Sequence, residues 1–173
     1  IKRHDSRFEK DEFDYIIRYH TDLQDDRLER HQDGLKMEFF QSPRPKLFVI
    51  DESHNLRNSK SNRYRFLVDH LLRPNDEVKV LMLSATPINN TLLDVRNQFR
   101  LLVKDNPQGF RDTLGIGNID AVFRRATQAF KEWREQDDRT LSSFLHALPP
   151  KFFSLTDALV VARTRRLIRG HTD

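Results

Sequence analysis

Leu47-Phe48-Val49-Ile50-Asp51-Glu52-Ser53-His54 and, further along, Val78-Lys79-Val80-Leu81-Met82-Leu83-Ser84-Ala85-Thr86 decide how this chain folds. Each begins as a short apolar run, the pattern of a strand buried on both faces in a parallel sheet covered by helices. Between them Tyr64, Leu67, Val68, Leu71 and Leu72 recur at i, i+3, i+4, i+7 and i+8. That spacing predicts a helix ending before Pro74. Strand, helix and strand joined this tightly form a parallel βαβ unit with a right-handed crossover. Both strand ends then leave the sheet at the same edge. Asp51 and Glu52 are therefore expected beside Ser84 and Thr86.

Upstream, residues 1–12 are almost entirely polar and read as a solvated lead-in. Phe13 to Tyr19 is aromatic and β-branched, which predicts a strand. Asp22 to Phe40 reads as a charged surface helix with a thin stripe of Leu23, Leu28 and Leu35. Pro43 and Pro45 stop it. Beyond Pro87 the pattern is helical only. Thr91-x-x-Asp94 resembles a capping box, with Leu92, Val95, Phe99 and Leu102 behind it. Asn106 to Gly109 breaks the chain, and Gly115 and Gly117 mark another loop. Ile119, Val122, Phe123, Ala126, Phe130 and Trp133 keep helical spacing. Leu141, Phe144, Leu145 and Leu148 predict a short helix stopped by Pro149-Pro150, and Ser154 to Arg166 a last one. The chain thus divides into an α/β part, 1–90, and a helical part, 91–173.

The 173 residues suit one domain, or one with an appendage. Hydrophobic residues make up 37% and charged residues 32%, and 13 Phe, 1 Trp and 3 Tyr supply bulk for a real core. Apolar runs fall far short of the roughly 20 residues that span a bilayer, so an intracellular, cytoplasmic protein is expected. Cysteine is absent, which excludes disulfides, thiolate metal sites and cysteine nucleophiles. The first residue is Ile1 rather than Met, and a segment of a longer protein is expected. A net charge of +4 is compatible with nucleic acid without arguing for it.

An apolar strand ending in two carboxylates is the Walker B arrangement. Mg²⁺ takes one or two carboxylates together with phosphate oxygens, and Asp51, at the strand end, suits that role. Glu52, next along the turn, is placed to orient and deprotonate an attacking water. An acidic pair after a strand also serves as an ordinary helix cap, and Ser84 and Thr86 also suit a turn. A cap accounts for one hydroxyl but not for both signatures together. Seven histidines raise the idea of a metal site, yet no pair has zinc-motif spacing. Arg124, Arg125, Lys131 and Arg134 fall on the polar side of the Trp133 helix and read as its solvated face.

Asp51-Glu52-Ser53-His54 followed by Ser84-Ala85-Thr86 closely resembles motifs II and III of superfamily-two helicases. The resemblance narrows to the Swi/Snf-type DNA translocases, particularly bacterial ones, through Asp51 to Asn58 and Leu83 to Asn90. Asp157 to Arg166 is similar to the Arg-rich segment near the end of that group's first lobe, and the helices before it resemble the lobe's helical protrusion. Ser53 stands where the family often has a smaller residue. The resemblance implies part of a RecA-like lobe of the P-loop NTPase class, with a partial parallel sheet and an appended helical subdomain. It implies ATP and Mg²⁺ as cofactors, Asp51 holding the metal, Glu52 as general base and His54 linking the nucleotide site to motif III. Ser84 and Thr86 would couple hydrolysis to lobe movement on double-stranded DNA.

The phosphate-cradling G-x-x-x-x-G-K-[ST] occurs nowhere among the five glycines. By the resemblance it belongs upstream of Ile1, and a second RecA-like lobe belongs downstream of Asp173. The isolated chain is therefore expected to be inactive toward ATP. Arg163, Arg165, Arg166 and Arg169 form a basic cluster for phosphate or interdomain contact; four phosphate contacts imply a salt slope of about −3.6. A helix C-terminal turn and solvated surface is the other reading, and the resemblance favours the contact. The alternative for the whole chain is a non-catalytic helical interaction module on a degenerate nucleotide-binding scaffold.

Overall fold

The computed structural model describes residues 15–24, 37–86 and 91–162. Arg163, Arg165 and Arg166, and Pro87 to Asn90 of the second motif, lie outside them. A mixed α/β chain results, with a two-stranded parallel sheet and helices before, between and after the strands.

The residues 15–19 are not a strand: Tyr15, Ile17 and Tyr19 are all exposed, and no neighbouring strand pairs with them. A lone aromatic and β-branched run gains nothing from extension without a ladder to join. Of the long helix expected from Asp22, the described portion shows a 3₁₀ turn at His20–Asp22 and α1, Met37–Gln41. α1 stops where Pro43 and Pro45 predict.

β1 is Lys46–Ile50 and β2 is Val78–Met82, paired in parallel with Lys46 opposite Val78 and Ile50 opposite Met82. One face of the sheet packs inward through Phe48, Ile50, Val80 and Met82. The other is not covered: Leu47, Val49, Leu81 and Leu83 stay exposed, Leu47 by 62%. The expectation of strands buried on both faces therefore holds for one face only. A continuous apolar run records that both faces want cover, not that one chain segment supplies both.

The segment between the strands follows its stripe. α2, Asn62–Phe66, starts at Ser61, whose Oγ accepts from the Tyr64 N–H at 3.2 Å. It widens into a π turn over Leu67–Leu72, closed by an Arg73 N–H to Val68 carbonyl bond of 2.9 Å. Tyr64, Leu67, Val68, Leu71 and Leu72 are all buried and form the centre of the first core, with Phe40, Ile50 and Leu56.

α3, Leu92–Leu102, follows Thr91, whose N–H donates to the Asp94 carboxylate at 3.3 Å. It faces two ways. Leu101 is fully buried in the first core, while Val95 and Phe99 enter a second one. That second core gathers Phe110, Ile116, Ile119, Val122, Phe123 and Leu155. Its framework is α4, Arg111–Leu114, α5, Ile119–Arg134, α6, Leu141–Ala147, and α7, Pro150–Leu159. Gly115, at φ 65, ends α4 in the left-handed conformation that glycine adopts without strain. Asn118 caps α5 by accepting from the Ala121 N–H at 3.1 Å.

α7 begins earlier and ends sooner than its sequence suggests. Pro150 stops α6 but suits the first position of the next helix, where its missing N–H costs nothing. Phe130, Trp133 and Phe144 cluster at the α5–α6 junction with centroids 5.1 to 5.8 Å apart, Phe130 stacked on Trp133 and meeting Phe144 edge-on.

Charged groups stitch α3 to its surroundings. Arg100 reaches Asp105 at 2.8 Å and Asp120 at 3.4 Å, and the Tyr64 hydroxyl donates to Asp105 at 2.8 Å. Burial, then the Asp105 carboxylate, drives the Tyr64 phenol well above its ordinary ionisation range. No helix among the described residues is long and apolar enough to cross a membrane.

Candidate functional site

The two strand ends do terminate side by side. Past the last paired residues, the Leu83 N–H donates to the Ile50 carbonyl at 2.9 Å, and the Ser53 N–H donates back to the Leu83 carbonyl at 2.9 Å. These bonds carry the ladder one step beyond the strands and hold the turn at 51–53 against the segment 83–86. Asp51 and Glu52 are both exposed on the rim so formed.

Glu52 sits at φ 48, ψ 46, the left-handed region. A residue with a Cβ pays about 1–2 kcal/mol there, and the neighbouring bonds hold it in place. Its own N–H donates to the Asp51 Oδ1 at 2.9 Å, and its carbonyl accepts from Asn55 at 3.0 Å. The left-handed turn lets the chain double back into the short 3₁₀ helix Ser53–Leu56.

That reversal brings His54 over the rim. Its Nδ1 lies 3.1 Å from the Glu52 Oε2 and 3.5 Å from the Ser84 Oγ. His54 Nδ1 and the Glu52 carboxylate are thus in ion-pair contact across the turn. The Ser84 hydroxyl stands at the outer limit of the same nitrogen's reach. Ser84 Oγ also accepts from the Thr86 N–H at 3.2 Å. Glu52, His54, Ser84 and the backbone of Thr86 thus form one connected chain across the two strand ends.

Asp51 stands at the strand end with Oδ1 engaged by the Glu52 N–H. Among the described residues no group of three His, Asp or Glu side chains is arranged to hold a metal ion.

Three contributors carry no signal in the motifs themselves. His20, at the start of the 3₁₀ turn His20–Asp22, donates from Nε2 to the Asp51 carbonyl at 2.8 Å. The contact joins residues far apart in sequence, and nothing local to His20 announces it. Gln98 on α3 is buried and accepts from Ser53 Oγ at 2.9 Å. A hint existed: Gln98 falls within the stripe of Val95 and Leu102, where a polar side chain needs a buried partner. Asn97 donates to the Arg57 carbonyl just after the 3₁₀ helix. α3 thereby props the turn that presents Glu52 and His54. Ser53 is 1% exposed, and the Gln98 bond gives its hydroxyl a purpose that a smaller residue would lack.

Compared with protein-family models, curated proteins and solved structures, the chain matches none.

Proposed function

We propose that this chain is part of an ATP-dependent DNA translocase or helicase of the Swi/Snf type. It would contribute the acidic and hydroxyl-bearing rim of a RecA-like lobe together with a helical protrusion. The observation that supports this most is the continuous contact from Glu52 through His54 to Ser84 across two parallel strand ends. An ordinary helix cap needs one such side chain and no link to the neighbouring strand.

On this reading Asp51 holds Mg²⁺, directly or through water, with the phosphates of ATP. The bound cation supplies charge neutralisation to the transferring phosphoryl group. Glu52 takes a proton from the attacking water, and its carboxylate is steadied by contact with His54. His54 relays the state of Glu52 to Ser84, and Thr86 is tied to Ser84 through its backbone. Movement of the segment 83–86 is thereby linked to events at the acidic pair. The chain holds no G-x-x-x-x-G-K-[ST], so turnover requires that loop from further polypeptide.

The test uses this chain together with the polypeptide encoded ahead of it. Glu52→Gln should retain ATP affinity and lower DNA-stimulated turnover by about 10²–10⁴-fold, the usual contribution of a general base. Unchanged turnover removes Glu52 from the chemistry. A reading frame without a phosphate loop ahead of Ile1 removes the motor reading altogether.

A further inference from the structure

α5 and the first turn of α3 enclose an open groove of 470 Å³ lined by Leu93, Arg124, Arg125, Thr127, Gln128 and Lys131. Three of these six side chains are cations, and no carboxylate lines the groove. Two acids on the same helix, α5, are already engaged. Asp120 is held by Arg96 and Arg100, and Glu132 accepts from Gln128 at 2.8 Å. Arg134, the next cation along, lies over the Phe130 ring at 5.9 Å. Arg124, Arg125 and Lys131 by contrast form no ion pair or hydrogen bond with any described residue, and all three are exposed. A solvated helix face normally interleaves charges of both signs. Here one sign is gathered on the walls of a concave surface, where the field is focused.

The shape selects among anions. Arg124 and Lys131 are separated by seven residues, or about 10 Å of helix axis, so the cations line a stretch rather than a point. A nucleic-acid strand carries one charge per about 3.4 Å of its axis, so about three phosphates fit that span. An amphipathic peptide would want apolar anchors at i, i+3, i+4 and i+7. The groove offers only Leu93, itself at the rim with 37% exposure. Small-molecule pockets are enclosed, whereas this groove is open to solvent. We propose that the α3–α5 groove seats a nucleic-acid phosphodiester backbone through Arg124, Arg125 and Lys131. Grip on backbone, without contact to base edges, makes the binding indifferent to sequence.

The inference stands apart from the nucleotide reading, because neither Asp51 nor Glu52 lines the groove. The experiment measures fluorescence anisotropy of a labelled DNA duplex of about 20 bp with the intact chain across a salt series. Replacing all three cations by Gln should weaken binding and reduce the slope of log K against log salt by about 2.7, three contacts at about 0.9 each. Arg124→Lys with Arg125→Lys should keep the slope. Far-UV circular dichroism checks the fold; if the triple variant fails to fold, Lys131→Gln alone should lower the slope by about 0.9. An unchanged slope overturns the proposal. So does competition by polyglutamate, or by inorganic phosphate at equal phosphate concentration, that matches unlabelled duplex.

Discussion

In the helical part, Ile119, Val122, Phe123 and Ala126 all turn inward and meet Val95, Phe99 and Leu155 from the same chain. In the α/β part, Leu47, Val49, Leu81 and Leu83 share a sheet face, stay exposed and meet no comparable partner among the described residues. The difference is one of geometry. An amphipathic helix has a single apolar stripe, so one neighbour completes it. A parallel strand presents two faces, and covering both requires layers above and below. The candidate chemistry belongs to the second kind of region, on the turn where β1 ends. Its support comes from the first kind, through Gln98 and Asn97 on α3.

α3 is where the contrast is most easily broken. Leu101 is fully buried in the α/β core, although its helix also carries Val95 and Phe99 into the other. Leu101→Ala should cost about 2–5 kcal/mol, the range for deleting a buried leucine side chain. Two probes read the same urea titration: far-UV circular dichroism for the whole chain and Trp133 fluorescence for the α5–α6 end. Both midpoints should fall together if α3 makes one cooperative unit of the two parts. A Trp133 transition that stays in place would separate them.

The Ser53–Gln98 bond sharpens the same comparison at the level of one contact. Ser53→Ala removes the donor to Gln98 Oε1 in a buried setting and should destabilise by about 1–3 kcal/mol in urea titration. Ser53→Ala combined with Gln98→Leu should regain most of that loss, since both polar partners are then gone. A neutral single variant would show that α3 does not support the acidic turn through this bond.

How much of this was legible beforehand follows the same division. The helix from Ile119 was readable because its period lies within one segment, and the βαβ unit because its stripe and both apolar runs are local. The convergence of Asp51, Glu52 and Ser84 followed from parallel pairing alone. The left-handed Glu52 was not legible, because glutamate carries no preference for that conformation; the ladder bonds of Ser53 and Leu83 impose it. His20 was not legible for a related reason. Its bond to the Asp51 carbonyl closes a loop across α1 and β1 and leaves no periodic trace. The open sheet face was misread because hydrophobicity records which surfaces need cover, and the cover itself is a property of the assembled molecule.

Glu52 also carries the smallest effect and the one most specific to the exposed region. Its left-handed backbone costs about 1–2 kcal/mol, whereas its contact with His54, half-exposed, returns a few tenths. Glu52→Gly relieves the backbone strain and loses only that weak contact, at some cost from the freer unfolded chain. It should therefore raise stability by about 0.5–1 kcal/mol, measured as a later urea midpoint, while Glu52→Gln leaves the midpoint unchanged. A side chain kept at a strained position against its own stability has the character of a functional residue. If Glu52→Gly instead destabilises the chain, the glutamate earns its place by holding the turn together, and the strain ceases to argue for chemistry at that rim.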